Sequence, residues 1–238
     1  MINVLLIGAS GNLGSLIEKF LKFNGYQVYR GVKTLNTSQD ILIKEFEEII
    51  IPKQVTIDLI INASNRYFVN ANRQQVDLMQ NAIIGITTSI TKTHIGCPVL
   101  FFSTYLQYLE AKTQPWSSYT ELKTRSTDMI RSFSKETSIK ALELVLYDNY
   151  GGPRKNKFFD LAIDSVSTGN KLLATPGDSI LNLTYIWDIV NSLREIIDKD
   201  SILSKEEGLK TFSIYSKDTY TLRNLVITIE ISLYEGLI

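Results

Sequence analysis

Cysteine and histidine are nearly absent: Cys97 and His94 are the single copies in 238 residues. One cysteine excludes an intramolecular disulfide. One of each cannot assemble a Cys/His zinc set, so no metal site is expected. An excess of one charge is lacking too, with 25 basic against 25 acidic side chains. Binding to a polyanion rests on surplus Lys and Arg, so no nucleic-acid partner is expected. A local basic pocket for one small phosphate stays compatible with that balance. Long apolar runs are also missing. The clearest are Val4–Ile7, Ile57–Ile61 with one Asp inside, and Val99–Phe102, against the roughly 20 residues a transmembrane helix needs. The first residues enter an apolar strand with no basic region or cleavage site. Neither a secretory signal nor membrane insertion is expected, and a cytoplasmic setting is the default. What is present is ordinary globular material, 44% apolar and 21% charged. That is enough to offset the entropy of ordering one large domain, or one with a small appendage.

Strand and helix patterns alternate. Residues 2–7 read as a buried strand. Leu13, Leu16, Ile17, Phe20 and Leu21 then recur at helical spacing, with Gly25 near the helix end. A second strand is expected over 27–32 and an amphipathic helix over 41–50, closed by Pro52. Further strands are expected at 57–61, 98–103 and 142–147, with helices around 70–92, 119–136 and 186–198. Ser118 and Glu121 have capping-box spacing for the helix at 119. Such alternation predicts an α/β fold, a parallel sheet with helices on both faces. Its ligand crevice lies at the C-terminal strand ends. After residue 150 Gly, Pro and Asn become frequent. We therefore expect a main domain over 1–150 and a small substrate lobe over 151–238. Segments near 180–200 are expected to return to the main domain.

Three features carry chemistry. Gly8, Gly11 and Gly14 lie between the first strand and the first helix. Glycines there let the chain turn tightly and let a pyrophosphate reach the N–H groups of a helix N-terminus. Ser10, Asn12 and Leu13 complete that turn. The spacing is G-x-x-G-x-x-G. Tyr119 and Lys123, four apart, share a helix face. An ammonium beside a phenol favours the phenolate and lowers its pKa from about 10, so the pair can move a proton at a carbon–oxygen bond. Ser103 and Thr104 end a strand, where a hydroxyl can hold a substrate oxygen. Cys97 has no helper nearby and reads as a small buried residue. His94 reads as exposed, Trp116 as packing beside Tyr119, and Asp40 as a candidate adenine contact.

In this order the features resemble the extended short-chain dehydrogenase/reductase family, and within it the NAD-dependent epimerase/dehydratase group that modifies nucleotide sugars. Gly8–Gly14 is similar to that family's glycine motif, and Ile60-Ile61-Asn62-Ala63-Ser64 to its fourth-strand motif. Asn81 is placed like its helix Asn. Phe102-Ser103-Thr104 with Tyr108 is similar to its Ser/Thr motif, and Tyr119 with Lys123 to its catalytic pair. Asn149-Tyr150-Gly151-Gly152-Pro153 and Tyr185–Val190 resemble its later motifs. Asn156-Lys157-Phe158 is similar to the CDP-abequose synthase-like 4-ketoreductases.

The resemblance implies a Rossmann doubly wound sheet. It implies catalysis by Thr104, Tyr119 and Lys123. Cofactor contacts would come from Gly8, Ser10, Gly11, Asn12, Leu13, Gly14, Arg30, Asn62, Ala63, Ser64, Tyr119 and Lys123. Substrate contacts would come from Ser103, Asn149, Arg154 and Lys157. A nucleotide sugar is the implied substrate and a homodimer the implied assembly. Leu181 stands where the family commonly has an Arg for the substrate diphosphate, and the segment from Thr104 to Tyr119 is short. The substrate lobe reads as truncated. Tyr105 and Leu106 replace the Asp-Glu pair of the 4,6-dehydratases, which leaves reduction or epimerisation. Tyr29–Lys33 contains no acid to pair with a ribose, while Arg30 and Lys33 could receive a 2′-phosphate, so NADP(H) is favoured over NAD(H). The expected activity is reduction of a nucleotide-linked 4-keto sugar. The alternatives are an epimerase with tightly held NAD and a non-catalytic NAD(P)-binding regulator.

Overall fold

Val4–Ile7, almost wholly removed from solvent, form the middle of the main sheet. The computed structural model describes residues 2–68, 70–93, 96–109, 117–153, 158–171, 177–198 and 208–235. Seven strands build that sheet: β1 (Asn3–Ile7), β2 (Gln27–Val32), β3 (Asp40–Leu42), β4 (Leu59–Asn62), β5 (Val99–Thr104), β6 (Lys140–Leu146) and β10 (Gly208–Ile214). Their order is β10-β6-β5-β4-β1-β2-β3. The pairings from β3 across to β6 are parallel. This is the Rossmann order, and it reverses between β1 and β4, where such sheets open their ligand crevice.

The helices of this layer are α1 (Asn12–Phe23), α2 (Arg73–Gln80), α3 (Ile86–Thr93), α4 (Leu106–Leu109) and α5 (Ser118–Thr137). On one side of the sheet Leu5, Ile7, Ile60 and Phe101 pack with Ile86, Ile90, Ile130 and Phe133 of α3 and α5.

The helix expected over 41–50 is not formed. Asp40 Oδ2 accepts the backbone N–H groups of Asn36 and Thr37 at 2.8 and 2.9 Å. That turn launches β3 beside β2. Ile41 and Ile43 are buried while Leu42 between them is exposed, the period of a strand. Phe46, at φ +67°, breaks any helix that would follow. The helix expected at 70–92 is three pieces, with a π-helical stretch at Asn81–Gly85 joining α2 to α3. The N-cap of α5 is Ser117, whose side chain accepts from Thr120 N, so the cap falls one residue before Ser118 and the expected Ser118–Glu121 box is replaced by a single side-chain cap.

The chain divides into two compact units, 1–146 with 190–213, and 147–189 with 214–238. In the second, β7 (Asp148–Tyr150) runs parallel to β9 (Leu183–Tyr185), and β8 (Ile180–Leu181) antiparallel to β11 (Tyr220–Thr221). Helices α6 (Phe158–Thr168) and α8 (Leu222–Tyr234) bury Ala162 against Leu225 and Ile229. The Tyr150 ring packs on Phe159 and Tyr185. Helix α7 (Ile186–Asp198) begins in this unit and ends in the first.

Candidate active site

The glycine turn closes on itself and on the neighbouring strand end. Gly8 has φ +86°, a conformation that favours glycine. Its carbonyl accepts the Gly11 N–H at 2.8 Å. A Cβ at Gly8 would stand 2.6 Å from Ser64 N, and one at Gly14 would stand 2.1 Å from Gly8 O. Both positions therefore demand glycine on steric grounds. Gly11 is less constrained, with 3.1 Å to Gly8 O. It is the N-cap of α1 and offers no side chain to the first-turn N–H groups. A close-approach turn leading into an uncapped helix start fits a dinucleotide pyrophosphate.

Across the switch point stands the end of β4. Ala63 N donates to Ile7 O at 2.9 Å. Asn62 Oδ1 accepts from Ser64 N at 3.1 Å and lies against the Ser64 hydroxyl. Ala82 O of the π-helical stretch is within 3.1 Å of the same hydroxyl. Asn62, Ala63 and Ser64 are thus locked beside Gly8. Ser10, Asn12 and Leu13 flank the glycines at the start of α1.

Tyr119 and Lys123 sit in the first two turns of α5. Tyr119 Oη accepts from Asn65 Nδ2 at 3.0 Å, and its ring meets Tyr67 edge-on at 4.8 Å. Desolvation pushes the phenol up to about 12, outweighing the Asn65 contact, which lowers it. Lys123 is 6% exposed, and its Nζ donates to Phe102 O at 2.9 Å. Burial pushes its ammonium down to about 8, against the charge of Glu143. The expectation that Lys123 lowers the phenol is therefore corrected. One N–H of the ammonium goes to Phe102 O of β5, and the group that favours the phenolate is Asn65.

Thr104 is buried at the end of β5, three residues beyond the Phe101–Asn62 pairing. Its Oγ1 accepts from Leu106 N at 3.4 Å, so its own O–H remains a donor. Ser103, one residue earlier, points to the other face of the sheet. Its Oγ is buried with no hydrogen-bond partner among the described residues. Arg30, near the end of β2, has Nε 3.8 Å from Glu18 Oε2, and Lys33 is paired with Glu45. Asp40, considered for adenine, is 8% exposed and gives its Oδ2 to the turn before β3. Asn149 lies in β7 of the second unit. Arg154 and Lys157, with His94 and Trp116, lie outside the described residues. Cys97 is buried, and burial pushes its thiol up to about 11, which suits packing. Sequence reasoning missed Asn65 and Tyr67. Their signal was adjacency, since both follow Asn62-Ala63-Ser64 directly.

Residues 4–207 match the NAD dependent epimerase/dehydratase family. The chain belongs to that family. Its members are the NAD-dependent enzymes of the extended short-chain dehydrogenase/reductase class. A CDP-abequose synthase from Yersinia pseudotuberculosis is 25% identical, over 94% of this chain and 82% of the relative. Among solved structures, a UDP-glucuronic acid 4-epimerase mutant from Bacillus cereus superposes with TM-score 0.80 at 17% identity. That comparison covers 99% of this chain and 83% of the other, which was crystallised with UDP-4-deoxy-4-fluoro-glucuronic acid and NAD. A dTDP-4-dehydrorhamnose reductase from Clostridium acetobutylicum gives 0.71 at 17% identity, over 99% and 81%. The family's Rossmann sheet is thus the fold of this chain. No helix among the described residues is long and apolar enough to cross a membrane, and none of their His, Cys, Asp or Glu groups could hold a metal ion.

Proposed function

We propose that this family member reduces a nucleotide-linked 4-keto sugar. The observation that carries the reading is geometric: the Tyr119 hydroxyl is held by Asn65 Nδ2, one helical turn from Lys123, whose Nζ is buried against Phe102 O. A phenol that keeps its proton at neutral pH is suited to give it to a carbonyl oxygen as that oxygen gains charge. Thr104 donates a hydrogen bond to the same oxygen. A bound nicotinamide cofactor would supply hydride to the carbonyl carbon and leave oxidised. Gly8, Gly11 and Gly14, with the start of α1, would hold its pyrophosphate, and Asn62–Ser64 would wall its nicotinamide side. Lys123 would bind its ribose. Tyr105 and Leu106 carry no carboxylate after Thr104, which disfavours loss of water across two carbons.

The Yersinia relative's name supports a keto-sugar reductase. NADP(H) is our choice over NAD(H), because β2 ends in Arg30 and Lys33 without an acid. Glu18 and Glu45 would share those cations with a 2′-phosphate. Substrate contacts are assigned to Asn149, Arg154 and Lys157; Ser103, on the face of the sheet away from Thr104, is not among them. A homodimer is the assembly we propose.

The test is NADPH oxidation with a panel of CDP- and dTDP-linked 4-keto sugars, repeated with NADH. Wild-type protein should consume NADPH, and Tyr119→Phe should lose about 10²–10⁴-fold in turnover. NADPH should raise the unfolding temperature more than NADH does. Full turnover by Tyr119→Phe would overturn the mechanism. Protein that purifies with NAD and interconverts sugars without added reductant would be an epimerase. Binding without consumption would favour a regulator.

A further inference from the structure

Glu143 is wholly buried in the middle of β6, a strand otherwise apolar from Ala141 to Leu146. A lone carboxylate there is costly, and an apolar residue would serve packing better. Its position is fully engaged. Oε1 accepts from Gln107 Nε2 at 3.1 Å and from Thr127 Oγ1 at 3.2 Å. Oε2 accepts from Tyr108 Oη at 2.8 Å and from Thr211 Oγ1 at 2.9 Å.

Two of its partners lead to the site. Thr127 is one helical turn beyond Lys123 on α5, on the same face. Lys123 in turn is bonded to Phe102 O, next to Phe101, which is the register partner of Glu143. Gln107 and Tyr108 form α4, which begins two residues after Thr104. The other elements around Lys123 bring no buried charge. β5 has no titratable residue, α2 and α3 bring Arg73, Asp77 and Lys92, all exposed, and Lys140 lies at the far end of β6. The phenols nearby are Tyr108 on α4, Tyr119 on α5 itself and Tyr67, which meets Tyr119 edge-on.

We propose that Glu143 is a positioning residue: a buried counter-charge that keeps the Lys123 ammonium charged, and an anchor that holds the segment after Thr104 through Gln107 and Tyr108. The ligand consequence rests on the reductase reading, since there Lys123 meets the cofactor. The electrostatic claim does not need that reading. Burial alone drives the ammonium toward its neutral form, and Glu143 opposes this.

The experiment is an NMR titration of protein labelled with 13C-lysine, with the Lys123 signal assigned through Lys123→Arg, on the wild type, Glu143→Gln and Thr211→Val. Glu143→Gln keeps the shape and removes the charge. Its Lys123 titration should move at least one pH unit lower, a tenfold weaker hold on the proton. Thr211→Val, which keeps the carboxylate's charge but removes one dipole that compensates it, should move the Lys123 titration slightly upward, the opposite direction. NADPH affinity should fall at least tenfold in Glu143→Gln. An unmoved Lys123 titration in both variants would overturn the proposal. Should Glu143→Gln fail to fold, Thr211→Val alone decides, and an unmoved titration there overturns it. If the titration moves but wild-type protein binds no NADPH, the reductase reading fails and the counter-charge stands.

Discussion

At position 14 a single methyl group is enough to break the turn, because the carbonyl of Gly8 occupies its place. Gly14→Ala should destabilise the protein by about 1–3 kcal/mol or more, the usual cost of overpacking, here against backbone that cannot yield. It should also weaken nicotinamide-dinucleotide binding at least tenfold. Gly11→Ala, with a looser approach, should do much less of both. Urea unfolding and cofactor titration of the two variants check this, and equal effects would contradict the geometry. The same residue scale explains what reading in one dimension missed. The spacing of Tyr119 and Lys123 shows that they share a helix face. It does not show that Asn65 takes the phenol or that Phe102 O takes the ammonium. Those partners come from β4 and β5, and so does the difference between a lowered phenol and one raised to about 12.

At the scale of elements, α5 carries Tyr119 and Lys123 almost at its beginning. Ser117 accepts the Thr120 N–H and so secures the turn that holds Tyr119. Ser117→Ala should cost about 1 kcal/mol, as lost N-caps do, and should speed amide exchange over residues 118–121 more than elsewhere in α5. Denaturant unfolding and hydrogen exchange measure both, and uniform exchange along α5 would count against the cap. Elements were legible where their apolar residues kept one period and one terminator. β1, α1 and β2 fall within a residue or two of the pattern, as does α7. Residues 41–50 were not legible. Their isoleucines suit either period, and the choice was made by β2, which offered an edge to Ile41, and by the positive φ of Phe46.

For the whole molecule, burial sets the response to alkaline pH. Tyr119 and Tyr108 are raised to about 12 and Cys97 to about 11. In the unfolded chain they ionise near about 10 and 8.5. Between those limits the folded protein binds more protons. Their stabilising contribution is complete below the unfolded values and is lost as pH rises through the folded ones. Lys123, lowered to about 8, acts the other way. Between about 8 and 10.4 the unfolded chain holds more protons, so stability gains there. The unfolding temperature should therefore hold or rise slightly from about pH 8 to 9, then fall steeply from about 10 to 12. Tyr119→Phe should flatten part of that fall. Calorimetry across this range tests it, and a monotonic decline from pH 7 in both proteins would refute the assignment of these groups.

By itself the sequence determined the alternation of strands and helices, the glycine turn, and the residue types available for proton transfer. Those follow from local periodicity and from glycine's freedom at one bend, which need no distant partner. Only the tertiary structure decided that β4 lies beside β1, so that Ser64 presses on Gly8. Only it brought Gln107, Tyr108, Thr127 and Thr211 to Glu143, on a strand that its neighbours make look purely apolar. Burial and through-space charge depend on which segments meet, and spacing along the chain carries no record of that.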